Sequence, residues 1–309
     1  MVKYVVKRGD RYYPSEEMKK IAWINSDNIY KESNKNPVKF WENLARQGLS
    51  WSKFWKTPYE EKLPYFKWFK GGKLNVSFNC LDRHINIRGR KNALIWVPEP
   101  TSEKTIKISY EDLNRRVNKF ANVLRNLGAR KGSVVTIYLP LIPEIVISML
   151  ACARIGAIHS VVFSAFSDEA LKTRINDGKS KILITANGYY RKGKKEDLLK
   201  KVNSAIEGTK IKKVVVVNRL KKNIKYGKKF VSYENELKKA ENYCEPEVMN
   251  YLEGDSTIFE KAPLETLAKE GHLYAYKHHG FWQCMDTIRD KMVLNKRWEQ
   301  GQAAWKVWK

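Results

Sequence analysis

From Asn92 onward, short apolar runs alternate with amphipathic stretches. NALIWVPE and TIKISY read as two strands joined by the turn-rich EPTSEK. Ser109 predicts a helix N-cap, with Asp112 at the capping-box position. Leu113, Val117, Ala121 and Leu124 then share one helical face, and Leu127-Gly128 predicts the stop. VVTIYL, a helix opened by Pro143, SVVF, a helix capped by Ser167 and KILITA follow in turn. A lysine-rich helix over 195–206 and the strand KKVVVVN (212–218) complete the series. Strands that are apolar throughout, separated by amphipathic helices, imply a parallel sheet covered on both faces. The expected class is α/β, a doubly wound and mostly parallel sheet, with a small α+β tail.

The flanks follow other patterns. Residues 1–91 are aromatic and irregular, with short helical pieces such as Pro37–Arg46. Trp23, Trp41, Trp51, Trp55 and Trp68 are expected to pack this extension onto a neighbouring core. In the tail, a helix is expected over Ala262–Lys269, a strand over Leu273–Lys277 and a helix from Thr287 to about Gln300. Charge marks the same division. The chain carries a formal +26, yet residues 244–309 hold 9 basic and 10 acidic side chains. The segmentation is therefore 1–91, 92–243 and 244–309.

That charge raises the question of nucleic acid. It comes mostly from lysines scattered over many elements, without an arginine stripe or an RNA-binding aromatic motif, so nucleic acid is not the expected partner. The longest apolar stretch, Val134 to Phe166, is broken by Pro140, Pro143, Glu144, Arg154 and His159, which excludes a membrane span. Cys80, Cys152, Cys244 and Cys284 form no CxxC pair, and MVKYVVKRGDRYY has no apolar signal core. A reduced, cytoplasmic protein is the expectation.

Three places invite chemistry. Gly188-Tyr-Tyr-Arg-Lys-Gly193-Lys194-Lys195 fits GxxxxGK but puts Lys195 where a hydroxyl should hold magnesium, which argues against a nucleoside triphosphatase. Its glycines and the cations Arg191, Lys192 and Lys194, near an expected helix start, still suit an anion. A solvated basic loop fits the same spacing. Ser164-Ala165-Phe166-Ser167 follows a strand and precedes a helix, where parallel sheets bind ligands, although ordinary connections look alike. Asp82, Arg83 and His84 read better as a salt bridge or cap than as catalysis. His278 and His279 point to opposite faces of a strand and cannot share an ion, which leaves Asp286 in an aromatic loop.

The run WFKGGKLNVSFNCLDRHI (68–85), with the stretch from ISYEDLNRRVNKF to SVVFSAFSDEAL, closely resembles AMP-forming acetyl-CoA synthetase. The resemblance covers about residues 10–250. It implies activation of acetate or a similar short acid with ATP and Mg2+, then acyl transfer to coenzyme A. By that resemblance Arg191, Lys192, Gly193 and Lys194 fall on the loop that grips the coenzyme A phosphates. Phe163 falls on the turn beside the adenine. Two glycines usually follow that position, and here Ser164 and Ala165 stand instead.

The family's Ser/Thr/Gly-rich ATP loop, acetate pocket, ribose-binding aspartate and catalytic lysine find no counterpart in the 309 residues, so no catalytic residue is assigned. From Tyr251 the sequence instead resembles the C-terminal end of glucose-1-phosphate cytidylyltransferase, which makes CDP-glucose from CTP with magnesium. Asp286 falls on one of that family's metal-binding aspartates. CEPEVMN (244–250) suits both families, as a fusion point would. The expectation is therefore a shortened synthetase joined to a foreign tail, inactive alone. A non-catalytic coenzyme A-binding module needing a partner chain and a cytidylyltransferase fragment are the alternatives. With part of its sheet missing, the chain is also expected to self-associate through an open edge.

Overall fold

A computed structural model describes residues 5–246 and 288–303. The chain divides into two compact units, Met1–Asn250 and Tyr251–Lys309. In the first unit β1 (Val5–Arg8) and β2 (Arg11–Pro14) form a hairpin, followed by α1 (Glu16–Ile21), α2 (Asn28–Lys35) and α3 (Pro37–Gly48). A second hairpin joins β3 (Thr57–Lys62) to β4 (Tyr65–Lys70). Next come α4 (Val76–Cys80), a 3-10 turn at Asp82–His84, α5 (Ile85–Arg88), and the antiparallel pair β5 (Asn92–Trp96) and β6 (Ile106–Ser109).

The regular core runs through α6 (Tyr110–Asn126), β7 (Val134–Tyr138), α7 (Pro143–Arg154), β8 (Ile158–Val161), α8 (Asp168–Asp177) and β9 (Ile182–Ala186). It continues with β10 (Gly188–Arg191), β11 (Lys194–Asp197), α9 (Leu198–Ile206), β12 (Lys213–Val217), β13 (Phe230–Ser232) and α10 (Tyr233–Lys239). Five of these strands form one all-parallel sheet in the order β13-β12-β9-β7-β8. The chain enters at β7, steps to β8 at the edge, and returns past β7 to β9. Right-handed crossovers running in opposite directions place their helices on opposite faces. Accordingly α6, α7 and α10 pack together, and α8 packs on α9. The α/β, mostly parallel expectation holds. β5 and β6, however, pair only with each other and stay outside that sheet.

Local signals act as read. Ser109 Oγ accepts from the Asp112 N–H at 3.1 Å and Ser167 Oγ from the Ala170 N–H at 3.3 Å. Leu113, Val117, Ala121 and Leu124 are buried, and β9 and β12 bury almost every residue. The Asp112 carboxylate bonds Arg115 and Arg116.

The tryptophan expectation needs correction. Trp51 and Trp55 are buried with Ala45 against Phe69 and Leu74, a small cluster separate from the sheet's core. Trp41 and Trp68 are half exposed, and Trp23 is fully exposed. The N-terminal region is instead tied to the sheet layer by Leu81, buried in the main core, by Asn75 Nδ2 donating to the Ala153 and Arg154 carbonyls, and by one ion pair. Asp82 receives two 2.7 Å hydrogen bonds from the Arg154 guanidinium, which is wholly buried on α7. Arg154 Nε also donates to the Cys244 carbonyl at 2.5 Å. The Asp82 cluster is thus the structural salt bridge the sequence favoured, and removing one partner of such a pair costs about 3–5 kcal/mol.

Of the second unit, a helix α11 (Ile288–Glu299) is described, near the expected one. The expected helix at 262–269, the strand at 273–277, His278, His279 and Asp286 lie outside the described residues.

Candidate functional site

In a sheet of this order, ligands bind beyond the carboxyl ends of the strands where the chain reverses direction. Here those ends belong to β7, β8 and β9. After β9 the chain does not enter a helix. Gly188 turns it back with φ +157, and a Cβ there would lie 2.3 Å from the Glu196 carbonyl. β10 and β11 then pair antiparallel, Gly188 opposite Asp197 and Arg191 opposite Lys194. The two turn residues, Lys192 and Gly193, have φ of 50° and 73°. Positive φ at both central positions is the tight turn that matches strand twist.

This corrects the expectation of a helix over 195–206. α9 starts only at Leu198, capped by Asp197, whose carboxylate accepts from the N–H groups of Leu199 and Lys200. Arg191, Lys192 and Lys194 therefore crown a hairpin tip, separated from the N-terminus of α9 by the length of β11. All three are exposed, and among the described residues none joins an ion pair.

The hairpin is braced from both sides. On one, Tyr190 lies under the Arg219 guanidinium at 4.9 Å, and Arg219 also covers the Trp96 ring at 5.2 Å. Arg219 makes a two-pronged pair with Glu103 at 2.9 and 2.8 Å. Trp96 donates its Nε1–H to the Leu141 carbonyl at 2.8 Å. At the tip, the Gly193 N–H donates to Glu99 Oε1 at 2.9 Å. Beneath, buried Asn187 donates to Asn218 and accepts from the Leu220 N–H, fixing the turns that leave β9 and β12.

Phe163 lies at the same edge of the sheet. Its ring is half exposed and meets Phe166 edge-on at 6.0 Å, while Ser164 beside it is buried. Tyr138, at the end of β7, shares its hydroxyl between the carbonyls of Ser164 (2.9 Å) and Phe166 (2.8 Å). Burial pushes its phenol up to about 12, with smaller contributions from Tyr189 on the hairpin and Asp168 on α8. Tyr138 thus stands between the Phe163 turn and the basic hairpin. The sequence reading missed it because VVTIY scans as a plain buried strand. It also missed Glu99, hidden in a turn-rich connection. Among the described residues, no group of three or more His, Cys, Asp or Glu could hold a metal ion. No described helix is long and apolar enough to cross a membrane.

Residues 81–257, more than half of the chain, match the family model of the AMP-binding enzymes. The chain belongs to the AMP-binding enzyme family. Residues 26–80 match the acetyl-coenzyme A synthetase N-terminus. Among relatives of this family member, the acetyl-coenzyme A synthetase of the gamma-proteobacterium EBAC31A08 is 45% identical over 72% of the chain and 35% of its own length. That of Gemmatimonas aurantiaca is 43% identical over 77% of the chain and 37% of its own. The chain thus spans about a third of the curated relatives it matches. In structure it is similar to acetoacetyl-CoA synthetase from Streptomyces lividans, with a TM-score of 0.63 at 24% identity, covering 70% of this chain and 33% of that one. At that identity the likeness concerns the fold.

Proposed function

We propose that the chain is the coenzyme A-facing N-terminal part of an AMP-forming acetyl-CoA synthetase. Arg191, Lys192 and Lys194, with the Gly193 amide, hold the phosphates of the coenzyme A nucleotide, and the exposed Phe163 ring takes its adenine. The observation that carries this reading is a basic turn whose three cations join no ion pair among the described residues, placed beyond the strand ends where the exposed Phe163 ring also lies. Guanidinium and ammonium groups on a rigid tip suit phosphate, and an exposed ring face suits a base. Such a protein works in the cytoplasm on small molecules.

The 309 residues alone do not make acetyl-adenylate in this proposal, because no Ser/Thr/Gly-rich ATP loop is among them. ATP and Mg2+ belong to the parent reaction. The unit from Tyr251 onward is a foreign tail, resembling a cytidylyltransferase and carrying Asp286 as a would-be magnesium ligand. The stretch CEPEVMN, which suits both families, supports that reading.

Calorimetric titration with coenzyme A is the test. Micromolar to millimolar binding is expected, weakened at least tenfold in the double variant Arg191→Ala, Lys194→Ala. Unchanged binding in that variant would overturn the basic-turn assignment. Acetate-dependent release of pyrophosphate from ATP by the purified chain would overturn the claim of inactivity. Sequencing genomic DNA across codons 235–260 from a clonal source decides whether the join is real.

A further inference from the structure

The basic turn does not stand free. Its glycine amide, the one place where backbone can approach an anion without a side chain intervening, already holds a carboxylate. Glu99 reaches it from 94 residues away in sequence, Gly193 N–H to Glu99 Oε1 at 2.9 Å. Glu99 sits in the connection between β5 and β6, three residues past the end of β5, and it is flanked by an anchor on each side. Trp96, three residues earlier, is pinned by its bond to the Leu141 carbonyl and by the Arg219 guanidinium over its ring. Glu103, four residues later, holds the same Arg219 with both oxygens. Pro98, next to Glu99, is buried. The contact is therefore fixed by a strap held at two points.

We infer that Glu99 is an internal competitor for phosphate, a carboxylate stationed at the basic tip that lowers its affinity for anions and sets which ones succeed. The inference rests on the basic turn being the phosphate site proposed above. A carboxylate and a phosphate oxygen are acceptors for the same N–H, and both are attracted by Arg191, Lys192 and Lys194. A phosphate gripping these cations must displace Glu99 from the amide or lie beside its charge. Either way it loses part of what the three cations offer. A dianionic phosphate outcompetes one carboxylate, whereas small monoanions do not. The strap is thus a filter that favours polyanionic ligands.

Glu99→Gln isolates the charge, because the amide oxygen can still accept from Gly193 and keep the turn. Glu16→Gln makes the same change in net charge on exposed α1, in the N-terminal extension. Coenzyme A is titrated at low ionic strength into the full chain, these two variants and the Arg191→Ala, Lys194→Ala double variant. Two like charges about 4 Å apart near a surface repel by a few RT, and solvent reduces this, so Glu99→Gln is expected to bind about three- to tenfold more tightly. Glu16→Gln is expected to match the parent, and the gain should shrink at high salt. Equal or weaker binding by Glu99→Gln, with binding lost in the double variant, overturns the competitor and leaves the basic turn standing. Equal binding in parent and double variant overturns both. If the parent shows no binding, its appearance in Glu99→Gln supports the competitor, and its absence there overturns both.

Discussion

Tyr138 carries a burden out of proportion to one hydroxyl. Its proton is shared between two carbonyls of the turn that bears Phe163, and no other side-chain bond to those two carbonyls is seen among the described residues. Tyr138→Phe should lose about 1–3 kcal/mol, because a buried acceptor is stranded. Urea denaturation would measure that loss, and coenzyme A affinity should fall with it as the turn loosens. The phenol also leaves a pH signature. Its folded value, about 12, lies above the ordinary 10. The stability it adds is complete below pH 10 and disappears as pH rises through 12. Tyr138→Phe should therefore flatten the alkaline limb of stability against pH. Arg191 and Lys194 were legible in the sequence as cations following a strand. Tyr138 was not, because its partners lie 26 and 28 residues away and nothing in VVTIY announces them.

Among the elements, β7, β8, β9 and β12 and the helices α6, α7 and α8 were readable because the apolar period was clear and Ser109, Pro143 and Ser167 marked the helix starts, whereas β13 and α10 were not read. Nor was the β10–β11 hairpin. Lys194–Asp197 borders a true helix and is rich in residues that helices accept, so propensity extends the helix backward. Backbone geometry decides otherwise, with positive φ at Lys192 and Gly193 and the close approach at Gly188. A second consequence belongs to α7. Glu144 is half-buried in its first turn, and burial raises its carboxyl above the usual range. Its own N–H, Arg116 and Arg219 oppose the shift, and Glu234 adds to it. A raised carboxyl contributes stability below its unfolded value, near 4.5, that is lost as pH climbs through the folded value. At neutral pH the ionised form is a cost. Glu144→Gln should then raise the melting temperature by about 1–3 °C at pH 7.5 and bring no gain at pH 4, read by scanning calorimetry.

Across the whole molecule, the sheet ends on one side in the short β13 and on the other in β8, whose outer edge pairs with no other described strand. Ile158 and Val161 on that strand are exposed. An open edge with apolar residues invites a second copy, whereas a net charge of +26 opposes it. Salt screens the repulsion and leaves the edge unchanged. Sedimentation velocity should therefore show association growing from 50 mM to 500 mM salt, and Val161→Lys should reduce it. A monomer at both salt concentrations would remove the edge as a cause. The sequence led to the expectation of an open edge from the synthetase parts it lacks, and among the described residues strand order puts β8 and the three-residue β13 at the two edges of the sheet.

The Arg154 clasp acquires another meaning when the chain is followed in the order a ribosome makes it. Asp82 is made first, the arginine 72 residues later, and the Cys244 carbonyl 90 residues after that. Until the last of them emerges, the guanidinium lacks its carbonyl partner. The fastening of the N-terminal region to the sheet is thus completed only as the first unit nears its end. Synthesis of the clasp and of the unit it secures finish almost together.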